Sequence, residues 1–274
     1  MKYGYCTGFS TKPHFRLGKD LLPMIHRTGF DYVEFPLMNF HAMSDSEITS
    51  LCDYLEVNEL ESPVACNFFP PSIKLVGKSL NVPQLREYLG VVLPRCARLG
   101  IKKLILGSGP SRNFPDEMTR EEAFDQFSNV ISSEILPAVK KYSMHICIEP
   151  FERQSCNLIV SIIEGKELVG RINDSNFSLM IDIYHMLCNR EDLSDIETCF
   201  KYISHVHVAG MDRCLPGKEE SYVHEALSIL ATLGYEGSVS LETELPASEV
   251  VLEEYLTQLK GVFSIREKEE KNEG

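Results

Sequence analysis

Eight short apolar runs recur along this chain, each followed by a longer stretch of helical character, and that alternation limits the possible folds more than any other feature. The runs are KYGYCTG (2–8), FDYVEFP (30–36), PVACNFF (63–69), KKLILGS (102–108), MHICIEP (144–150), FSLMIDI (177–183), ISHVHVAG (203–210) and SVSLETE (238–244). Two of the intervening segments carry explicit helix starts. SDSEITSLCDYLEV opens at Ser44 with Glu47 three residues on, and TREEAFDQFSNVISSEILPAVKKY opens at Thr119 with Glu122 in the same relation, both capping-box patterns. Strands that alternate with helices predict a parallel sheet with helical crossovers. At 274 residues, a closed (β/α)₈ barrel fits eight such units better than an open doubly wound sheet. No G-x-G-x-x-G turn follows the first strand, which argues against a dinucleotide fold. No linker or composition break divides the chain, so residues 1–274 read as a single α/β domain. The charged stretch 264–274 is expected to fray.

Side chains alternate along a strand, and the last four runs sort cleanly by this rule. Ile146 and Ile148 share one face, with His145, Cys147 and Glu149 on the other. Leu179 and Ile181 oppose Ser178, Met180 and Asp182; Val206 and Val208 oppose His205 and His207; Val239 and Leu241 oppose Ser238, Ser240 and Glu242. Each strand thus offers an aliphatic face to the helices and a mixed polar face to the barrel axis. Glu149, Asp182, His207 and Glu242 then fall at the C-terminal ends of four consecutive strands, where barrel enzymes build their active sites. Each alone has an ordinary explanation: a loop cap, a helix N-cap, a hydrogen-bonded core histidine, a rim charge beside Glu244. Together, three carboxylates and an imidazole repel one another unless a positive charge joins them. A divalent cation meets that need. Hard oxygen donors with one nitrogen suit Mn²⁺, Mg²⁺ or Co²⁺, and zinc less well.

On these residues the chain resembles the xylose-isomerase-like TIM barrels of sugar isomerases and epimerases. It looks most like the branch of D-tagatose and D-allulose 3-epimerases and their hydroxypyruvate isomerase relatives. CIEPFERQ carries Glu149; IDIYHM is similar to the family's D-x-x-H-M; HVHVAGMDRCLPG is similar to its H-x₅-R-x₂-P-G; YEGSVSLE carries Glu242. Over the first half the likeness is looser, in FDYVEF and LGSGPSRNFPD. The resemblance implies one divalent ion, Mn²⁺ first among the candidates, held by Glu149, Asp182, His207 and Glu242. It implies Glu149 and Glu242 as the catalytic pair, His185 as a neutral substrate contact and Arg213 as a grip on substrate oxygens. The implied reaction removes a proton beside a ketose carbonyl through a metal-stabilised enediolate. The implied assembly is a homodimer or homotetramer. Family members commonly carry a second, substrate-holding glutamate six residues past the strand-five ligand, where this chain has Ser155.

Composition narrows the partners. A formal charge of −13, from 27 basic against 40 acidic residues, repels a phosphate backbone, so nucleic acid is not an expected partner. No apolar run approaches the ~18 residues of a membrane span, and MKYGYCTGFS lacks a signal-peptide core. Nine cysteines without a C-x-x-C pair read as reduced, packed thiols of a cytoplasmic protein. Deeper along the axis, His145 and His205 read as core histidines. GSGPSR (107–112) reads as rim geometry rather than a phosphate cradle, and Cys66 and Asn67 as residues of the barrel mouth. Phe68 and Phe69 read equally as pocket wall or core, and His14, His26, His41 and His224 as surface or packing residues. A nuclease built on this barrel would need further histidines in VACNFF and LILGSG, which have none. A lyase, either an inosose-type dehydratase or a C-glycoside-cleaving subunit with a partner chain, would use the same residues and stays open as the alternative.

Overall fold

Every apolar run forms a strand shorter than the run that signalled it; FDYVEFP loses its first two residues, and in the others the last residues turn into the loop above. The structure, a computed structural model, describes residues 1–8, 19–244 and 248–270. The strands are β1 (Lys2–Cys6), β2 (Tyr32–Pro36), β3 (Val64–Cys66), β4 (Lys103–Leu106), β5 (His145–Ile148), β6 (Phe177–Asp182), β7 (Ile203–Val208) and β8 (Ser238–Leu241). They pair in parallel in chain order. β8 returns to β1 with Ser238 opposite Lys2 and Leu241 opposite Tyr5, which closes the barrel. Among the described residues, no helix is long and apolar enough to cross a membrane.

The helix starts are those the sequence marks. Ser44 and Thr119 each accept a hydrogen bond from the backbone three residues on, while Glu47 and Glu122 reach back to complete both capping boxes. The run opened at Thr119 is not one uniform helix. It divides into Arg120–Val130, a π turn at Ile131–Ile135 and Leu136–Lys140. Pro137 lies just past the wide turn; it has no N–H to donate and its ring crowds the preceding turn, so the ladder widens there. The closing helix runs Glu249–Glu270, past residue 264, and residues 271–274 lie outside the described residues.

The predicted alternation produces two apolar compartments. Ile146, Ile148, Leu179, Ile181, Val206, Val208, Val239 and Leu241 pack outward into the layer shared with the helices. Cys6, Tyr32, Val64, Cys66, Ile105, Cys147 and Met180 fill the barrel itself. Tyr32 crosses the interior to hydrogen-bond Ser240 Oγ at 2.8 Å. Its ring occupies the space a side chain at position 4 would need, so β1 carries glycine there. Near the N-terminal ends of the strands, polar groups close the axis. Lys103 Nζ donates to Ser204 O at 2.6 Å and Ser238 Oγ at 3.2 Å, and His145 Nε2 lies 2.6 Å from Ser178 Oγ. His145 is therefore a satisfied barrel residue far from the mouth. His26 and His41 are exposed, with His41 stacked on Tyr88, and His224 contacts Gly217 O; His14 lies outside the described residues.

Replacing Ser44 with Ala removes one capping bond from an exposed helix start. The chain should lose about 1 kcal/mol of unfolding free energy, read from urea denaturation with an unchanged slope.

Candidate active site

The strand ends bring together the four residues the sequence singled out. Glu149 follows β5, Asp182 ends β6, His207 is the fifth residue of β7, and Glu242 follows β8. The β6–β7 register sets Asp182 directly opposite His207. One donor atom from each of the four lies within 4.8 Å of the others, and all four residues are buried. Gly107 makes room for this: a side chain there would collide with the Glu149 carboxylate. Asp182 divides its two oxygens. Oδ1 caps the helix Ile183–Asn189 by accepting from Tyr184 N at 2.9 Å, leaving Oδ2 to the site. The N-cap role and the site role are both present in one side chain.

His185 and Arg213 join the same cluster. Arg213 Nη1 donates to Asp182 Oδ2 at 2.8 Å and to Glu242 Oε2 at 2.7 Å, and its Nη2 is 3.1 Å from His185 Nε2. Asp212 and Arg213 both sit at positive φ, 56° and 55°, a conformation that non-glycine residues hold only when their surroundings compel it.

Several further residues complete the site. Glu34, on β2, is fully buried. It accepts from His207 Nε2 at 3.1 Å, from His205 Nε2 at 3.2 Å and from Ser240 Oγ at 2.7 Å. His205 is the hydrogen-bonded core histidine expected, with Nδ1 2.7 Å from Ser238 Oγ. Held through Nε2, His207 turns Nδ1 inward, 3.2 Å from Glu242 Oε2 and 3.7 Å from Glu149 Oε1. Yet Nδ1 is buried without a hydrogen-bond partner among the described residues. Glu152 presses its carboxylate against His185 Nδ1, and Ser155 donates to Glu152. The inward imidazole, the orphaned nitrogen and three oxygen donors together fit a divalent ion.

The aromatic wall is not the one considered from sequence. Phe68 and Phe69 are core, stacked at 4.2 Å and at most 2% exposed. Instead Phe151 stacks on His185 at 4.2 Å, and the Arg213 guanidinium lies 3.9 Å above the Tyr184 ring. GSGPSR is rim structure, as expected. Its Arg112 is fully buried and donates to Leu158 O at 2.9 Å, Leu106 O at 3.1 Å and Glu149 O at 2.7 Å, fixing the backbone that carries Glu149.

A closed parallel barrel whose C-terminal mouth gathers acids, a histidine and an arginine defines a recognisable class of α/β barrels. The chain belongs to the xylose isomerase-like TIM barrel family, whose sequence profile matches residues 22–259. It is 28% identical over 110 residues to a D-psicose 3-epimerase of Ruminiclostridium cellulolyticum, covering 40% of this chain and 38% of that one. It is 25% identical over 227 residues to a probable ketose 3-epimerase of Synechocystis, covering 79% and 75%. The solved structure of D-psicose 3-epimerase with D-tagatose from Clostridium cellulolyticum superposes with a TM-score of 0.79 at 18% identity, over 96% of this chain and 99% of that one.

The site's electrostatics follow from burial and from who faces whom. Burial and the neighbouring Glu242 push the Glu149 carboxyl above its ordinary range. Burial works the same way on Asp182, but Arg213, His185 and His207 together outweigh it and hold the group well below. Burial opposes ionisation of Glu34 too, and His207 and His205 overcome it. His207 is the counterpart: burial lowers it, but Glu34 and Glu242 carry it well above its usual value, whereas burial leaves His205 at about 4. Burial lowers His185, but Asp182 and Glu152 together carry it above its ordinary value. Glu152, against the pull of burial, is held at about 2 by His185.

Groups depressed in the folded state contribute stability above their unfolded pKa and lose it as pH falls. Glu34, Asp182 and Glu152 are all depressed. The melting temperature of the metal-free protein should therefore fall as pH drops below about 4, and Glu34→Gln should flatten that fall. Calorimetry between neutral and acid pH checks both, and a flat wild-type profile would refute the assignment.

Proposed function

We propose that this chain is a divalent-metal-dependent sugar epimerase or isomerase that acts on a ketose, in the manner of a 3-epimerase. The observation that carries the reading is the buried convergence of Glu149, Asp182, His207 and Glu242, with His207 Nδ1 aimed inward and without a hydrogen-bond partner among the described residues. Those four residues would hold one ion, for which we assign Mn²⁺ ahead of Mg²⁺ or Co²⁺. When bound, the ion supplies Lewis-acid polarisation that makes a proton beside the substrate carbonyl acidic.

The chain's own residues supply the rest. Glu149 and Glu242 approach from strands three apart around the barrel, so they reach the substrate carbon from different directions. One removes the proton and the other returns one on the opposite face, which inverts that carbon; return to the former carbonyl carbon instead moves the carbonyl to the carbon that lost its proton, which yields an aldose only where that carbon is terminal. Arg213, a fixed cation with planar donors, offsets the charge that develops on substrate oxygens. His185 donates to a substrate oxygen, oriented by Glu152. Phe151 and Tyr184 form an apolar wall that fixes these groups and excludes water. Glu34 is a positioning residue that holds His207 through Nε2. The single domain read from the unbroken composition, the cytoplasmic setting read from the cysteines and the homo-oligomer implied by the resemblance belong to the same reading.

Incubating a panel of ketoses with the Mn²⁺-loaded protein in D₂O tests it. Deuterium at C3 with a new epimer supports the reading, as does deuterium with carbonyl migration; loss of water or of an aglycone instead would establish a lyase. Glu149→Gln and Glu242→Gln should each lower kcat by about 10²–10⁴-fold, and wild-type-like turnover would remove them as the acid–base pair. Elemental analysis should find about one divalent ion per chain, and Glu34→Gln should weaken its binding by about 10–100-fold.

A further inference from the structure

Two thiols meet inside the barrel beside the proposed site, and nothing in the sugar chemistry uses them. Cys6 ends β1 and Cys66 ends β3, with β2 between them. Both are free thiols. Their Sγ atoms are 3.3 Å apart, and Cys6 Sγ lies 3.6 Å from Glu242 Oε1. Cys66, Cys6 and Glu242 each offer a donor within 4.8 Å of the other two, and none is more than 4% exposed. Cys147 shares the barrel interior but is committed elsewhere, to Ser204 Oγ at 3.1 Å and Ser178 Oγ at 3.4 Å.

We propose that Cys6, Cys66 and Glu242 form a binding site for a thiophilic divalent cation, zinc or cadmium, distinct from the oxygen-rich group and sharing Glu242 with it. The spacing is close to that of a tetrahedral site. Metal–sulfur and metal–oxygen bonds of about 2.3 and 2.0 Å place sulfurs about 3.8 Å apart and sulfur and oxygen about 3.5 Å apart. The sulfurs, at 3.3 Å, must part by about half an ångström, while the sulfur–oxygen distance of 3.6 Å already fits. The donors also sort by chemistry: thiolates select zinc or cadmium, while the carboxylate–imidazole set favours harder ions. Each thiol releases its proton to water as the ion binds, and three protein donors leave a fourth position for water. An ion held here engages Glu242. If the epimerase reading holds, zinc is therefore an inhibitor that works by capturing one of the two acid–base residues.

Cadmium titration of the chelator-treated full chain tests the site without substrate or turnover, so it stands or falls apart from the epimerase reading. The thiolate-to-cadmium absorption band should saturate at about one equivalent. It should be lost or at least halved in Cys6→Ser and in Cys66→Ser, each checked for folding by circular dichroism. It should persist in a variant with Cys52, Cys188 and Cys214, the thiols that are not buried, all replaced by Ser. A wild-type protein with no saturable band, a band that survives in the Cys6→Ser/Cys66→Ser double variant, or one lost with the three outer thiols would each overturn the proposal. The wild-type and outer-thiol arms decide the matter even if the interior variants do not fold.

Discussion

Four carboxylates buried at one end of a closed sheet set the terms for the rest of this molecule. Glu34, Glu149, Asp182 and Glu242 are each at most 4% exposed. Each ionised carboxylate taken out of water costs several kcal/mol unless a positive or hydrogen-bonding partner replaces the solvent. The fold answers by interleaving signs. Arg213 bridges Asp182 and Glu242, His207 stands between Glu34 and the mouth, and His185 stands between Asp182 and Glu152. The left-handed backbone at Arg213 lies on the loop that delivers its guanidinium to both acids.

The barrel makes the arrangement rigid. Closure pairs every strand on both sides, so no edge is free to shift, and the β6–β7 register fixes Asp182 against His207. Tyr32 braces the interior across to Ser240, which itself donates to Glu34. Above the sheet, Arg112 does a similar task for the loops. It is a buried cation without a carboxylate partner among its hydrogen bonds, balanced by carbonyl oxygens from the segments around Gly107, Glu149 and Leu158. A buried charge satisfied in this way ties together backbone that would otherwise move independently.

Period-two alternation is a local property, so the inward faces of β5 to β8 were legible from sequence, and with them Glu149, Asp182, His207 and Glu242. The same rule reaches Glu34 in FDYVEFP, two residues past Tyr32 on the same face. Glu152 and Phe151 carry no such signal. They lie in the loop after β5, where side-chain direction depends on the fold of the loop and not on a repeat. Phe68 and Phe69 were ambiguous for a related reason: an aromatic pair at a strand end serves a wall or a core equally, and only their burial, with the rings packed on each other and against Tyr88, marks them as core.

By itself, the sequence determined the eight-unit parallel barrel, the helix starts at Ser44 and Thr119, and the strand ends from which the acids and imidazole project. These follow from periodicity and capping, which act over a few residues. Tertiary structure alone decided that Glu34 grips His207 through Nε2, that Glu152 lies against His185, and that Cys6 meets Cys66 beside Glu242. Those pairings join residues from different strands and loops, and their distances depend on how a closed sheet twists and staggers, which no local pattern encodes.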